Sequence, residues 1–128
     1  MQERKYDLED RLVSFSSKIV ELARMLPNTK PANYIRDQMT RCGNSPAMNY
    51  GEAQGAESRD DFIHKMKVVL KELKETRVCL KLIIHQHLIK NEKFVVDLRN
   101  ECEELIAITA KSIITATNNN NKDKKRDP

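Results

Sequence analysis

Residues 41–62, RCGNSPAMNYGEAQGAESRDDF, decide how this chain is organised. They place a proline and several polar residues where a helix that starts upstream should present apolar side chains, and they end in a helix-start signal. Ser58 is followed three residues later by Asp61, which resembles a capping box, and Asp60 and Asp61 suit the positive end of a helix dipole. The stretch therefore separates a second helix from a third.

Downstream of Ser58, apolar residues recur with 4-3 spacing for three and a half heptads, which predicts one buried face of a third helix. That face consists of Phe62, Met66, Val69, Leu73, Thr76, Leu80, Ile83 and His87. A fourth helix has a similar face made of Phe94, Leu98, Cys102, Leu105, Thr109 and Ser112, broadened by Ile106 and Ile113. An unbroken helix from Ser58 to Thr115 would be about 85 Å long, more than the other helices could cover. We therefore expect a turn at Lys90–Asn91, where Asn can accept a left-handed conformation or cap the next helix.

Upstream, two more apolar faces precede the quoted stretch. The face of the first helix consists of Leu8, Leu12, Phe15, Ile19, Leu22 and Leu26. Pro27 ends this helix, and Pro31 suits the first turn of the second. The inward face of the second helix consists of Ile35, Met39, Cys42, Pro46, Asn49 and Ala53. Because Pro46 removes a backbone hydrogen bond, we expect a single helix that is kinked near Ser45–Pro46.

A chain of 128 residues with only three Gly and four Pro predicts a single domain of long helices. Because the connections are short, consecutive helices should be antiparallel neighbours. The predicted fold is all-α, an antiparallel up-down four-helix bundle with a kinked second helix, formed by residues 1–116. Residues 117–128, TNNNNKDKKRDP, offer no apolar side chain for burial, so we expect a disordered, Asn-rich basic tail. That tail carries half of the formal net charge of +4.

The composition excludes several classes of protein. No run of about 18 apolar residues is present, so we expect no membrane span. The charged start, MQERKYDLEDR, lacks the apolar core of a secretion signal. The three cysteines are odd in number and far apart, which suits a reducing compartment. We therefore expect a cytoplasmic protein.

No catalytic or metal-binding constellation stands out in the sequence. A carboxylate-bridged metal centre in a bundle needs Glu-x-x-His pairs, and the chain has only the pairs Glu72–Glu75 and Glu101–Glu104. The histidines of His85-x-His87 do not face each other on a helix; we place His85 at the surface and His87 at the end of the core face. The cysteines lack Cys-x-x-Cys spacing and are interpreted as buried thiols. We predict no enzyme, no cofactor and no metal.

One face of the third helix carries a row of cations. This lysine row consists of Lys67, Lys71, Lys74 and Lys81. One interpretation is a solubilising face, and the other is a track for nucleic-acid phosphates. Only three Tyr and three Phe are present, and the phenylalanines lie on predicted core faces, so base stacking is poorly supported. Both interpretations of the row stay open.

The polar residues of the second helix are a further anomaly. Asn49 lies on the inward face, where a polar side chain costs stability unless it is hydrogen-bonded. Arg41, Ser45, Met48 and Glu52 share another face of the same helix. One interpretation is an internal polar network that satisfies the backbone near the proline, and the other is a contact between subunits. The two are compatible.

The arrangement Ser-Pro-x-x-Asn-x-x-Glu, carried by Ser45, Pro46, Asn49 and Glu52, resembles a motif of bacterial four-helix bundle proteins. Further positions that match this family are Arg41, Ser58, Phe62, Lys65 and Glu72. Some members come from reading frames inside intervening sequences of large-subunit ribosomal RNA. Many relatives have the proline one position later and a glycine directly after the glutamate, whereas this chain has Ala53 there.

The resemblance implies a non-enzymatic protein that forms homo-oligomeric rings, with a pentamer as the leading size. A related branch, the accessory proteins of diversity-generating retroelements, resembles basic bundles that bind nucleic acid and a reverse transcriptase. RNA, DNA and a reverse transcriptase are therefore candidate partners. Three function classes follow: an oligomeric RNA- or DNA-binding module, a protein–protein interaction scaffold with no nucleic-acid role, and a metal-dependent bundle enzyme that the missing ligand pairs disfavour.

Overall fold

The computed structural model describes residues 7–126, with side chains described as far as Lys124. These residues form four helices and no strand: α1 (Leu8–Met25), α2 (Lys30–Gln54), α3 (Arg59–His85) and α4 (Glu92–Arg126). The predicted all-α fold is confirmed, and the three connections lie at or within a few residues of the places that the sequence indicated.

Neighbouring helices run antiparallel. Helices α1 and α3 each pack against both α2 and α4. Arg36, near the start of α2, donates to the carbonyl oxygen of Ala23, near the end of α1, at 3.0 Å. Glu52, near the end of α2, pairs with Lys65, near the start of α3, at 3.5 Å. The bundle is therefore of the up-down type, and its α2–α3 face lies opposite its α1–α4 face.

Each helix starts beside a side chain that caps its free N–H groups. Ser58 Oγ accepts from the N–H of Asp61 at 3.0 Å, so α3 starts where the sequence predicted. Asp7 and Thr29 cap α1 and α2 in the same way. Asn91 Oδ1 accepts from the N–H three residues later at 3.3 Å, so Asn91 caps α4, which is one of the two roles predicted for it.

Most residues of the predicted apolar faces meet in one main core, but on α4 the predicted Phe94 is only half-buried, while Val95, which was not predicted, is fully buried. The largest fully buried side chains of this core are Leu12, Phe15, Ile19, Leu22, Met39, Val69, Leu73, Leu80, Ile83, Val95 and Leu105. Phe62, which was predicted to join this core, is only half-buried and packs against a smaller cluster of Ala53, Met66 and Ile113, because it lies in the first turn of α3 at one end of the bundle. Among the described helices, none combines the length and the hydropathy that crossing a bilayer requires.

Helix α2 continues through Pro46, whose side chain is buried against the rest of the bundle. The proline has no N–H, so the carbonyl of Cys42, four residues earlier, lacks its usual helical partner. The prediction of one continuous helix is confirmed, while the size of any bend at this point stays a prediction.

The turn between α3 and α4 starts earlier than predicted. His87 has a positive φ of 50°. Its N–H bonds to Ile84 O and that of Leu88 bonds to Ile83 O, both at 3.2 Å, which is the Schellman arrangement of a helix C-terminus. His87 was predicted to close the core face, but this backbone turns its side chain outward, where it contacts Glu92 at 2.8 Å.

Helix α4 extends further than the sequence indicated. The prediction was a disordered tail after Thr117, whereas the helix continues to Arg126. Two contacts tie this extension to the start of α3: Asn120 Nδ2 donates to Asp60 Oδ1 at 2.6 Å, and Arg59 pairs with Asp123. Contacts with a distant segment thus hold an Asn-rich helix that its own composition disfavours.

Candidate functional site

Arg41 and two glutamates form an ionic cluster across the α2–α3 edge. Arg41 Nη2 lies 3.3 Å from Glu75 Oε2, and Arg41 Nη1 lies 3.7 Å from Glu72 Oε2. The Glu72 side chain is 12% exposed, and its Oε2 atom has no hydrogen-bond partner among the described residues. Burial, together with repulsion from Glu75, raises the pKa of Glu72 above its ordinary value.

The other polar residues of the motif on α2, namely Ser45, Asn49 and Glu52, make two separate sets of contacts. Asn49 Nδ2 donates to Ser45 O at 3.0 Å and to Ser45 Oγ at 2.7 Å, both within α2. Glu52 instead reaches Lys65 on α3 at 3.5 Å. Asn49 therefore bonds to the backbone directly before Pro46, whereas Glu52 belongs to the ionic edge that also contains Arg41.

The four side chains of the lysine row are all exposed on α3. Within the described part of the chain, none of them makes a hydrogen bond or an ion pair. Other cations on the same helix are paired: Lys65 with Glu52, and Arg77 with Glu103 at 3.2 Å. The row is therefore a strip of exposed positive charge without ion pairs in this part of the chain, although Lys71 lies close enough to Glu72 to act on the pKa of that carboxylate.

An apolar depression lies along this strip. It has a volume of about 480 Å³ and is open to solvent. Its lining consists of Lys67, Leu70, Lys71, Lys74, Glu75 and Val78. Lys81 lies outside this lining. Val78, which is 53% exposed, occupies the position in the lysine row between Lys74 and Lys81. The depression thus combines three cations and the carboxylate of Glu75 with an apolar floor.

A second groove continues from the first between α2 and α3, because Glu75 and Val78 line both. Its volume is about 360 Å³. Three side chains of its lining are unusually exposed for apolar residues: Tyr34 at 68%, Val78 at 53% and Leu82 at 37%. Two cysteines, Cys42 and Cys79, also line it. Sequence periodicity did not indicate this groove, since it assigned no function to exposed apolar residues.

Cys42 of α2 and Cys79 of α3 meet at this groove. Both thiols line the groove, and Thr76 Oγ1 lies 3.2 Å from Cys42 Sγ. The neighbouring Cys79 thiol lowers the pKa of Cys42, against the opposing effect of burial. The Cys42 thiol and burial raise the pKa of Cys79. The burial of both thiols was predicted, but their place on one groove was not, because the two positions are far apart in sequence.

The other candidate ligands are occupied or exposed. Glu101 and Glu104 pair with Arg11 at 2.5 and 3.2 Å, His85 is exposed as predicted, and His64 is exposed as well. One group of described carboxylates lies close enough together to hold a metal ion, namely Asp7, Glu9 and Asp10. All three are exposed in or beside the first turn of α1, where the helix dipole favours acids.

Comparison with known proteins identifies relatives of this chain. A family model described as 23S rRNA-intervening sequence protein matches residues 4–111. Among solved structures, a protein of unknown function from the S23 ribosomal protein family of Bacteroides thetaiotaomicron is similar, with 31% sequence identity and a TM-score of 0.77. That match covers 84% of this chain and 98% of the other. A search of curated proteins found no match.

Proposed function

Because the chain belongs to the family of 23S rRNA-intervening sequence proteins, we propose that it is a non-enzymatic, homo-oligomeric bundle that binds the backbone of RNA or DNA through the lysine row. The observation that carries this proposal is that, among the residues that the structure describes, the row is exposed and makes no ion pair, while Lys65 and Arg77 on the same helix are paired. Exposed cations that form no ion pair are available to phosphates.

The chemistry of the row favours phosphate contact over base recognition. A lysine ammonium is a compact point charge that binds phosphate without demanding a fixed orientation. The depression beside the row is lined by aliphatic side chains, Leu70 and Val78, so it lacks an aromatic platform for stacking. Binding should therefore depend strongly on salt and weakly on base sequence.

Exposed apolar residues on the α2–α3 face and on helices α1 and α4 support the homo-oligomer. Tyr34, Val78 and Leu82 lie on the α2–α3 face, and Val13 and Ile114 lie on the opposite helices α1 and α4. When two unlike faces of neighbouring copies meet, the contact is heterologous, and it closes into a ring if the rotation permits. A pentamer is the size we propose, with RNA, DNA or a reverse transcriptase as partners in the cytoplasm.

The test compares three variants that each remove four positive charges from the full chain. The first replaces the lysine row by glutamine: Lys67, Lys71, Lys74 and Lys81. The second does the same with exposed lysines elsewhere: Lys18, Lys30, Lys90 and Lys111. The third does so with the cations near the C-terminus: Lys122, Lys124, Lys125 and Arg126. Binding is measured by fluorescence anisotropy with a labelled single strand and a labelled duplex over a range of salt concentrations.

We expect only the first variant to lose binding and to flatten the salt dependence. Four neutralised phosphates per subunit give a log–log slope of about −3 for single strands or about −4 for duplex. If all three variants weaken binding equally, net charge rather than the row is responsible. If the wild-type protein binds neither the single strand nor the duplex at low salt, the nucleic-acid proposal fails.

A protein–protein interaction scaffold with no nucleic-acid role is the second candidate. The exposed apolar side chains of Tyr34, Val78 and Leu82 favour it, because soluble monomers rarely expose contiguous apolar patches that lack a partner. Light scattering after size exclusion separates the oligomer from the monomer, for which the chain mass is 14.8 kDa. An oligomer that binds no nucleic acid would leave the scaffold as the function.

A further inference from the structure

The apolar groove between α2 and α3 runs alongside the lysine row. The two depressions on this face share Glu75 and Val78, so they form one continuous groove. Lys74 and Lys81 lie four residues before and three residues after Val78, which places them next to Val78 on the same face of α3. The lysine row therefore borders an apolar floor. A ligand that fits this surface carries negative charges along one side and uncharged groups along the other.

Tyr34 supplies an aromatic ring to this groove. Its side chain, in the first turn of α2, is 68% exposed and lines the depression of about 360 Å³ together with Val78 and Leu82. Among the aromatic residues that the structure describes, only Tyr34 is exposed. Proteins that bind single strands combine a cationic track with aromatic side chains on which unpaired bases stack. The groove brings both of these elements together.

A carboxylate in the groove decides which part of a nucleic acid can enter it. Glu75 lines both depressions, and its Oε2 atom accepts from Arg41 Nη2 at 3.3 Å. A negative charge at this place repels phosphate, so the backbone of a bound strand should stay on the lysine row. An uncharged base meets no such repulsion, and the side chains of Glu75 and Gln38 offer hydrogen-bonding groups to its edge.

The shape of the bundle disfavours a duplex on this face. Helix α3 packs against α2 on one side and α4 on the other, so it cannot enter a major groove of about 12 Å width as an isolated helix does. The lysine row extends for about 21 Å along α3. Over that length each strand of a duplex makes more than half of its turn of about 34 Å and leaves a straight row. A flexible single strand can follow the row from end to end.

We propose that the α2–α3 groove binds single-stranded nucleic acid, with phosphates on the lysine row and an unpaired base stacked on Tyr34. This proposal rests on the proposed function and narrows its ligand to single strands. A second copy of the chain is the other occupant that an apolar groove could take. The cationic border favours a polyanion, and other exposed apolar residues outside the groove remain for contacts between subunits, namely Val13, Met48, Ile108 and Ile114.

The test uses the full-length chain and three labelled oligonucleotides of equal length: a single strand, a duplex, and a single strand whose internal nucleotides are abasic. Fluorescence anisotropy should show the tightest binding for the normal single strand, because the abasic strand keeps the phosphates but has no bases to stack. Tyr34→Ala should weaken binding of the normal single strand by about 5- to 150-fold and leave the other two ligands unaffected. Its salt dependence should keep the wild-type slope, since no cation is removed.

Two variants serve as controls for Tyr34→Ala. Tyr34→Phe keeps the aromatic face and should bind like the wild type. Met48→Ala removes another exposed side chain of α2, 72% exposed and outside both depressions, and should also bind like the wild type. Ultraviolet cross-linking of the single strand to the wild-type protein, followed by peptide mapping, should identify the peptide that contains Tyr34.

Three results would overturn the single-strand proposal alone. The first is a wild-type protein that binds the duplex or the abasic strand as tightly as the normal single strand. The second is a Tyr34→Ala variant that binds the single strand like the wild type. The third is a fall in the oligomer mass of Tyr34→Ala in light scattering, which would show that a second copy covers the groove. If the wild type binds none of the three oligonucleotides, the proposed function fails as well.

Discussion

Gly43 of α2 lies so close to Ile19 of α1 that a Cβ atom on Gly43 would be 2.6 Å from Ile19 Cγ2. Both residues are buried, and Ile19 belongs to the main core. The absence of a side chain at residue 43 therefore allows α1 and α2 to approach at this level. The periodic pattern of α2 does not indicate this role, because Gly43 lies beside the apolar stripe rather than on it.

Gly43→Ala should destabilise the bundle by about 1–3 kcal/mol, since the new methyl group overpacks a rigid core position. Urea denaturation measures the change. The matched control is Gly51→Ala in the same helix, where nothing lies within 4 Å of the new Cβ. That variant should gain about 0.5–1 kcal/mol from helix propensity. Equal effects of the two substitutions would contradict the close contact between Gly43 and Ile19.

Arg36→Met should lower the free energy of unfolding by about 1.5–3 kcal/mol, the usual range for hydrogen bonds to a charged group. Arg36 lies on α2, but its guanidinium donates to the C-terminal carbonyls of α1: Ala23 O at 3.0 Å, Leu26 O at 2.7 Å and Pro27 O at 3.2 Å. Methionine keeps the apolar stem and removes the donors. Arg24→Met, at an exposed position of α1, serves as the control and should stay within about 0.5 kcal/mol of wild type in the same urea titration.

Glu72→Gln should change how stability depends on pH. Burial raises the pKa of Glu72 in the folded protein, so between the ordinary and the raised value the folded state holds more protons than the unfolded chain. The stability of the wild type therefore falls as pH rises through that window, whereas glutamine does not titrate. As pH rises from below the ordinary glutamate pKa of about 4.3 through the raised pKa of Glu72, the variant should become progressively more stable relative to wild type.

The control for Glu72 is Glu57→Gln, an exposed residue in the connection between α2 and α3. Urea midpoints at each pH provide the comparison. A difference between Glu72→Gln and wild type that stays constant over this pH range would refute a raised pKa for Glu72.

His87→Gly should stabilise the protein by up to about 1 kcal/mol. A left-handed conformation costs a non-glycine residue roughly 1–2 kcal/mol. Glycine avoids this strain but loses more chain entropy on folding, which offsets part of the gain. The variant loses only the exposed contact of His87 with Glu92, which contributes little. Gln86→Gly, one residue earlier at φ −92°, is the control and should destabilise. Thermal melts of both variants decide whether the Schellman turn has been correctly identified.

Much of the fold could be predicted because its determinants are local. The apolar spacing of each helix predicted the buried faces, and the hydroxyl of Ser58 and the amide of Asn91 marked two helix starts by bonds that span three residues. The polar pattern at Ser45, Asn49 and Glu52 indicated the family, which the match over residues 4–111 bears out. Exposure of the lysine row followed from the same periodicity.

The remaining features depend on residues that only folding brings together. The contact between Gly43 and Ile19, the bond from Arg36 to the end of α1 and the groove lined by both Cys42 and Cys79 all involve different helices. The helical extension of α4 likewise depends on the start of α3, against its own composition. The sequence by itself therefore determined which faces are buried and where helices begin, because spacing and caps act within a few residues. Tertiary structure decided which buried and exposed residues face one another, since that depends on packing between segments far apart in the chain.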